Sequence, residues 1–418
     1  MKALARSLPI TRVLATGLRM GAMGIRLVGL IVLARFVTPD TYGQFALSMV
    51  TAAFAAYLLG AELYTRTIFK LSRTVVSNWG SFVSRQYVAI SYILLVFWLA
   101  AVAVYFVSGE KLVLWIAALA TADVANQENN RLLVISKNHV FASAMLFFRQ
   151  AIWIVATFAL LNGLFLEDET NLVLSAWLGA GLLTATVSFL RLEAIGVKIR
   201  PTKLSGNLVL RFLQASALML ISGIALRGLI SLDKIILGLS DSYNLLAAYT
   251  FFATLAFGLV PILENAVFIY LMPNLVGAAV ERDWTSFRNQ LVKATWMSSG
   301  ILLVYVLLAT ALIDNMLQWV GRSYYSESKD IFFILLASSG LYNFAMISYY
   351  GIYALQNKKL LLQVNITAVV LCQIVYALLY FVDIRIAMPI SLLLTMTFLC
   401  ASQYFFLKRL YTNQEILS

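Results

Sequence analysis

The chain has 418 residues, of which 61% are hydrophobic and 12% charged; its mean hydropathy is +0.86 and its formal net charge +12. Charged residues make up about a quarter of an ordinary soluble domain, so this composition excludes a water-soluble globular protein and describes a polytopic membrane protein. With one histidine, two cysteines (Cys372 and Cys400) in separate apolar runs, no phosphate-cradling glycine loop and no nucleophile elbow, neither a metal framework nor a cofactor is expected.

A run of about 20 apolar residues crosses a bilayer as a helix. On that measure twelve spans are predicted, at 13–37, 42–68, 86–107, 111–135, 140–161, 171–190, 208–236, 244–272, 290–313, 329–355, 359–382 and 387–407. The first is a full-length span rather than a cleavable signal, since no short apolar segment ends in a small-residue cleavage site. It nevertheless contains Arg19, Arg26 and Arg35. An arginine at mid-membrane costs about 2.5–3.5 kcal/mol on insertion scales, so such residues face protein or water. Arg12, Arg19 and Arg26 are seven apart. Seven residues at about 100° each fall within roughly 20° of two full turns, which puts the three on one helix face. Arg35, near the end of the span, is placed to snorkel to the headgroups.

Further charges follow in later spans. The second carries Glu62 and Arg66. The fourth has Asp123 near its middle and then the polar run Asn126, Gln127, Glu128, Asn129, Asn130 and Arg131. That run offers donors and acceptors suited to sugar hydroxyls; it equally suits the solvated inner end of a helix whose apolar part is 112–122. Arg149 lies in the fifth span, Arg227, Asp233 and Lys234 in the seventh, and Glu264 in the eighth, three residues after Pro261. Pro261 predicts a distortion, either a passive kink or a hinge, and Pro273 is expected to close the same helix. Trp153, Trp177 and Tyr249 read either as anchors or as walls of a sugar path.

With the N-terminus inside, inner segments carry nineteen basic residues and outer segments four, so the positive-inside rule places both termini and the segment 191–207 in the cytoplasm. Topology therefore accounts for most of the net charge without nucleic acid. The outer connections are short, the longest being 314–328. An enzyme polymerising sugars outside needs a sizeable external loop or domain, so a non-enzyme is expected. At an offset of 201, Arg26, Asp40 and Tyr42 fall on Arg227, Asp241 and Tyr243; Ser136-Lys137-Asn138 is echoed by Gln356-Asn357-Lys358. Six spans per half is an even number, which gives repeats of like orientation. The expected fold is all-α: a bundle at 1–190, a cytoplasmic linker at 191–207 and a bundle at 208–418. The two six-helix bundles are related by a pseudo-two-fold axis along the membrane normal.

Eight basic residues lie within spans, against the five acids Glu62, Asp123, Glu128, Asp233 and Glu264. Pairs such as Arg19 with Glu62, or Asp123 with Arg149, fix helix packing as readily as they serve function. The set as a whole leaves bases in excess, and an uncompensated buried charge is costly. A water-filled, net cationic cavity between the halves is the expected resolution, and it attracts an anion. Arginine predominates over lysine here, and its planar fork holds phosphate oxygens bidentately.

The stretch "GIRLVGLIVLARFVTPDTYGQFALSMVTAAFAAYLLG", echoed by "LDKIILGLSDSYNLLAAYTFFATLAFGLVPILENAVFIYLMPNL", resembles the polysaccharide-exporter branch of the multidrug/oligosaccharidyl-lipid/polysaccharide superfamily. The resemblance implies a Wzx-type O-antigen or polysaccharide flippase of the bacterial inner membrane. Such a protein moves undecaprenyl-pyrophosphate-linked oligosaccharide between leaflets by alternating access, driven by H+ or Na+, with membrane lipids, a polysaccharide polymerase and a chain-length regulator as partners. On this reading pyrophosphate falls to Arg19, Arg26, Arg149 and Arg227 and sugar contacts to Asn126, Gln127, Asn129 and Asn130. Ion coupling falls to Asp123, Glu62, Glu128 or Glu264. Lipid II flippases of the superfamily have two further helices, absent here. The alternatives are a multidrug exporter of the same superfamily and, behind it, a membrane polymerase or glycosyltransferase.

Overall fold

Inside a bilayer a chain this apolar satisfies its backbone only as helix or closed barrel, and the span lengths select helix. The computed structural model describes residues 2–60, 71, 76–163, 169–198, 206–239 and 243–417. Among these there is no strand, and twelve long helical elements follow one another: α1 (Lys2–Phe36), α2 (Pro39–Gly60), α3 (Gly80–Ser108), α4 (Leu112–Ile135), α5 (His139–Gly163), α6 (Glu169–Ala194), α7 (Gly206–Gly238), α8, α9 (Trp284–Val320), α10 (Lys329–Ala354), α11 (Lys358–Tyr380) and α12 (Ile384–Leu417). α8 consists of Tyr243–Phe257, Leu259–Leu263, a π-helical turn Glu264–Phe268 and Ile269–Glu281. Ten of these helices are apolar and long enough to cross a membrane on described residues alone. α4 is not one of them, because the polar run at 126–131 follows Asp123 in the same helix.

The breaks in α8 follow from its prolines. A proline lacks the N–H that bonds the carbonyl four residues back. Four before Pro261 is Phe257, where the first segment stops, and four before Pro273 is Ile269, where the π turn gives way to α-helix. Tyr305 of α9 donates to the Leu255 carbonyl, two residues before that first break. Pro273 therefore does not close the helix as expected; it lies inside a segment that continues to Glu281. The expected outer loop 314–328 is likewise mostly helix. α9 runs to Val320, Gly321 leaves it with φ +71°, and the one-turn helix Ser323–Glu327 leads to α10.

The inner turns of the two halves share one conformation, displaced by one residue from the sequence echo. Lys137 (φ 64°) bonds back to the Val134 carbonyl, and Asn138 to that of Leu133. Gln356 (φ 60°) and Asn357 do the same to Tyr353 and Ile352. Each asparagine then precedes a helix, α5 and α11.

Packing divides the chain into two compact units, Met1–Gly29 with Gln44–Ile224 and Leu30–Gly43 with Ala225–Ser418. The division thus falls inside α7 and not at 191–207, and the second unit takes the last turns of α1. Contacts within that unit explain why: the Arg35 guanidinium lies 4.6 Å from the ring centre of Trp319, and Arg322 Nη2 donates to the Val37 carbonyl at 3.3 Å. Gly43 meets the backbone carbonyl of Tyr243 so closely that a Cβ would collide with it. We expect Gly43→Ala to lower stability by about 1–3 kcal/mol, because a backbone group cannot swing aside as a side chain can. Gly17→Ala, with nothing within 4 Å of the added carbon, should be neutral or slightly stabilising. Thermal denaturation in detergent checks both; equal midpoints would refute the close packing.

Candidate functional site

In the first unit the charged residues converge on α4. Asp123 is 6% exposed and forms an ion pair with Arg149 of α5, whose side chain is 13% exposed. Arg149 Nε is buried with no hydrogen-bond partner among the described residues. Arg26 of α1 lies within electrostatic reach of Asp123, and its Nη2 donates to Met49 Sδ of α2 at 3.3 Å. Unlike Arg149, Arg26 is exposed. Seven residues earlier, Arg19 Nε donates to Ser143 Oγ of α5 at 3.1 Å. The spacing of seven thus does turn both arginines toward α2, α4 and α5. The side chain of Arg12 lies outside the described residues, as do Glu62 and Arg66.

The polar run of α4 behaves differently from either sequence reading. Asn126 is buried; its Nδ2 donates to the Gly181 carbonyl of α6 at 2.7 Å, and Thr184 Oγ1 donates to its Oδ1 at 3.0 Å. Asn129 is buried too, donating to the Ala185 carbonyl at 2.9 Å and accepting from Tyr87 of α3. Asn130 Nδ2 donates to the Ala142 carbonyl of α5 at 3.0 Å. These three amides fasten α4 to its neighbours, as polar side chains do between membrane helices, so Asn126 and Asn129 are not open donors for sugars. Gln127 is half-buried. Glu128, 1% exposed, accepts from Gln86 and from Arg131 Nη1 at 2.7 Å. Trp153 and Trp177 are core residues packed against Phe45, with ring centres 5.6 and 5.8 Å away.

The second unit holds a corresponding arginine. Arg227 of α7 is exposed and lies within electrostatic reach of Glu264, also exposed, at the first position of the π turn. Tyr342 and Tyr350 of α10 reach Glu264 as well. Nothing in the spacing pointed to these tyrosines; the cue was the aromatic run Tyr349, Tyr350, Tyr353, which reads as interfacial anchoring. Such π turns recur at functional sites because they reorient side chains without ending the helix. Further along α7, Asp233 and Lys234 form a buried pair (3.0 Å) that also takes a 2.6 Å hydrogen bond from Tyr249, so Tyr249 is a core residue.

Among the described residues no group of His, Cys, Asp and Glu could hold a metal, and Cys372 and Cys400 are free thiols. What the two units do offer is a cationic, accessible arginine in each, set against one carboxylate, which suits reversible binding of an anion better than proton-transfer chemistry.

No family model and no curated protein matches the sequence. Solved structures match in fold over nearly the whole chain. An inward-facing multidrug resistance MATE family transporter of the MOP superfamily aligns with a TM-score of 0.61 at 14% identity, over 94% of this chain and 95% of that one. The MATE multidrug transporter DinF-BH in complex with R6G gives 0.61 at 12% over 97% and 96%. The eukaryotic MATE transporter AtDTX14 gives 0.53 at 14% over 96% of each chain. The fold is therefore that of the twelve-helix MATE transporters.

Proposed function

We propose that the chain is an ion-coupled transporter of the MOP superfamily that works by alternating access in a bacterial inner membrane, with both termini and 191–207 on the cytoplasmic side. Its cargo on this reading is amphipathic and anionic: an undecaprenyl-pyrophosphate-linked oligosaccharide whose lipid tail stays in the bilayer. The observation that carries it is charge. The described spans hold Arg19, Arg26, Arg35, Arg131, Arg149, Arg227 and Lys234 against only Asp123, Glu128, Asp233 and Glu264. Buried pairs take up Arg131, Arg149 and Lys234, and Arg227 faces Glu264, so by number the excess of bases falls on Arg19, Arg26 and Arg35 of α1; of the arginines named, Arg26 and Arg227 are both exposed. Exposed guanidinium groups at mid-span are suited to grip pyrophosphate oxygens.

A second reading, export of drug-like amphipathic compounds, has the fold comparison behind it: two of the matching structures are described as multidrug transporters, one of them with R6G bound. That likeness speaks for drug export more directly than for lipid-linked cargo, whereas the charge excess speaks against cationic drugs. Purified full-length protein in proteoliposomes decides between them. The lipid-linked reading expects gradient-stimulated translocation of a labelled undecaprenyl-pyrophosphate oligosaccharide and no gradient-driven efflux of R6G. R6G efflux without lipid-linked translocation would replace it with the second.

A further inference from the structure

An apolar groove and four basic side chains meet at one end of the α11–α12 hairpin. The helices are joined by the short turn at 381–383, and Gln403 Nε2 donates to Asn365 Oδ1 at 3.5 Å, which fixes their antiparallel register. By that register Lys358 and Lys359, in the first turn of α11, stand level with Lys408 and Arg409 of α12, and all four are exposed. Directly toward the middle of the hairpin lies a groove of about 560 Å³ lined by Gln363, Val364, Thr367, Phe398, Ser402 and Phe405 among others. Binding cavities for small molecules run from about 300 to 1,000 Å³.

The rim carries four basic side chains. None of the four is in an ion pair among the described residues, and no Asp or Glu occurs in α11 or in α12 before Glu415. Lys358 and Lys359 moreover sit at a helix N-terminus, where the backbone already presents about half a positive charge and favours anions over cations. An anion drawn from outside the chain would relieve all of these at once. A free anion would leave the groove unused; a molecule with an apolar chain and an anionic head fills both parts. Basic clusters at the membrane edge of helix pairs recognise lipid headgroups in this way.

We propose that this end of the hairpin binds one anionic phospholipid, with an acyl chain in the α11–α12 groove and the phosphate on Lys358, Lys359, Lys408 and Arg409. The site lies entirely in the second unit and does not depend on the identity of the cargo. Native mass spectrometry of the purified full chain, titrated with phosphatidylglycerol or phosphatidylcholine of identical chains, tests it. Wild type should bind the first phosphatidylglycerol at least ~10-fold more tightly than phosphatidylcholine, since each basic group near the surface contributes about fivefold. The variant K358Q/K359Q/K408Q/R409Q should lose that preference. Thr367→Trp, or the smaller Thr367→Leu if the first melts early, should weaken binding of both lipids by obstructing the groove. R385Q, which removes a basic residue at the opposite end of the hairpin, beside the 381–383 turn, should keep the preference. Unchanged phosphatidylglycerol binding in the quadruple or both Thr367 variants would overturn the proposal. So would competition by soluble glycerol phosphate at equal concentration, which would reduce the site to a free-phosphate contact. Tighter binding of undecaprenyl phosphate than of phosphatidylglycerol would overturn the phospholipid assignment.

Discussion

Arg26→Ala is expected to lower the transport rate by about 10- to 100-fold while leaving membrane abundance and melting temperature close to wild type. The difference between those two readouts follows from where the side chain lies. Arg26 is exposed within its unit, one of its hydrogen bonds goes to a thioether, a weak acceptor, and Asp123 is held in an ion pair by Arg149. Removing it should thus disturb little packing. On the proposed reading, what is lost is a charge-assisted contact to the cargo, worth about 1.5–3 kcal/mol. Arg227→Ala should behave alike, since Arg227 is exposed and faces an acid that is itself exposed. Arg26→Lys should recover only part of the rate, because an ammonium cannot reproduce bidentate phosphate geometry. Initial rates in proteoliposomes, normalised to reconstituted protein, are the measurement. Full rates in both alanine variants would dismiss the arginines from the mechanism, and abundance falling in step with rate would make them elements of the fold.

The second expected result concerns Asp123. Its carboxylate is buried, paired with Arg149, and within reach of Arg26, so two guanidinium groups compete for one acid. On the proposed reading, a proton arriving at Asp123 would free both arginines for an anionic head, and release of the cargo would restore the pair. Asp123→Asn keeps the shape and removes the charge, so the variant should bind cargo and lose the acceleration that a proton or sodium gradient gives wild type. Asp123→Ala is a harsher change. It leaves Arg149 buried without its carboxylate and should cost about 3–5 kcal/mol of stability, much of it recovered in the double variant Asp123→Ala/Arg149→Met. A single Asp123→Asn protein as gradient-responsive as wild type would pass the coupling role to Glu128 or Glu264. Of these, Glu128 is fixed by Gln86 and Arg131, whereas Glu264 is exposed on a π turn and is the freer to change partners.

Much of the fold was legible in the chain because a bilayer reduces the choice. Apolar length identifies spans, and among the described residues a long helix overlaps each of the twelve predicted spans. What failed was local. Pro273 reads as the stop of α8, yet it lies inside the segment Ile269–Glu281, where the helix continues past it. The segment 314–328 reads as the longest outer connection, yet α9 continues through its first part to Val320. The helix-four amides could not be assigned from type alone. An asparagine has the same donors and acceptors whether it meets a sugar or a neighbouring carbonyl, and only the close packing of α4 on α6 chooses the latter for Asn126 and Asn129.

The sequence by itself determined the class, the number of spans and the excess of arginine over carboxylate, because hydropathy and charge are sums over residues and need no neighbours. It also determined that Arg19 and Arg26 share a face, since helical periodicity is a property of one helix. Only the tertiary structure decided which charges are spent. Ion pairing falls steeply with distance, so the pairing of Asp123 with Arg149, on different helices, depends on a few ångströms set by packing, whereas Glu128 with Arg131 and Asp233 with Lys234 are near neighbours on one helix. The same packing left Arg26 and Arg227 exposed and Arg149 mostly buried, a difference invisible in composition because burial depends on neighbours brought together by the fold.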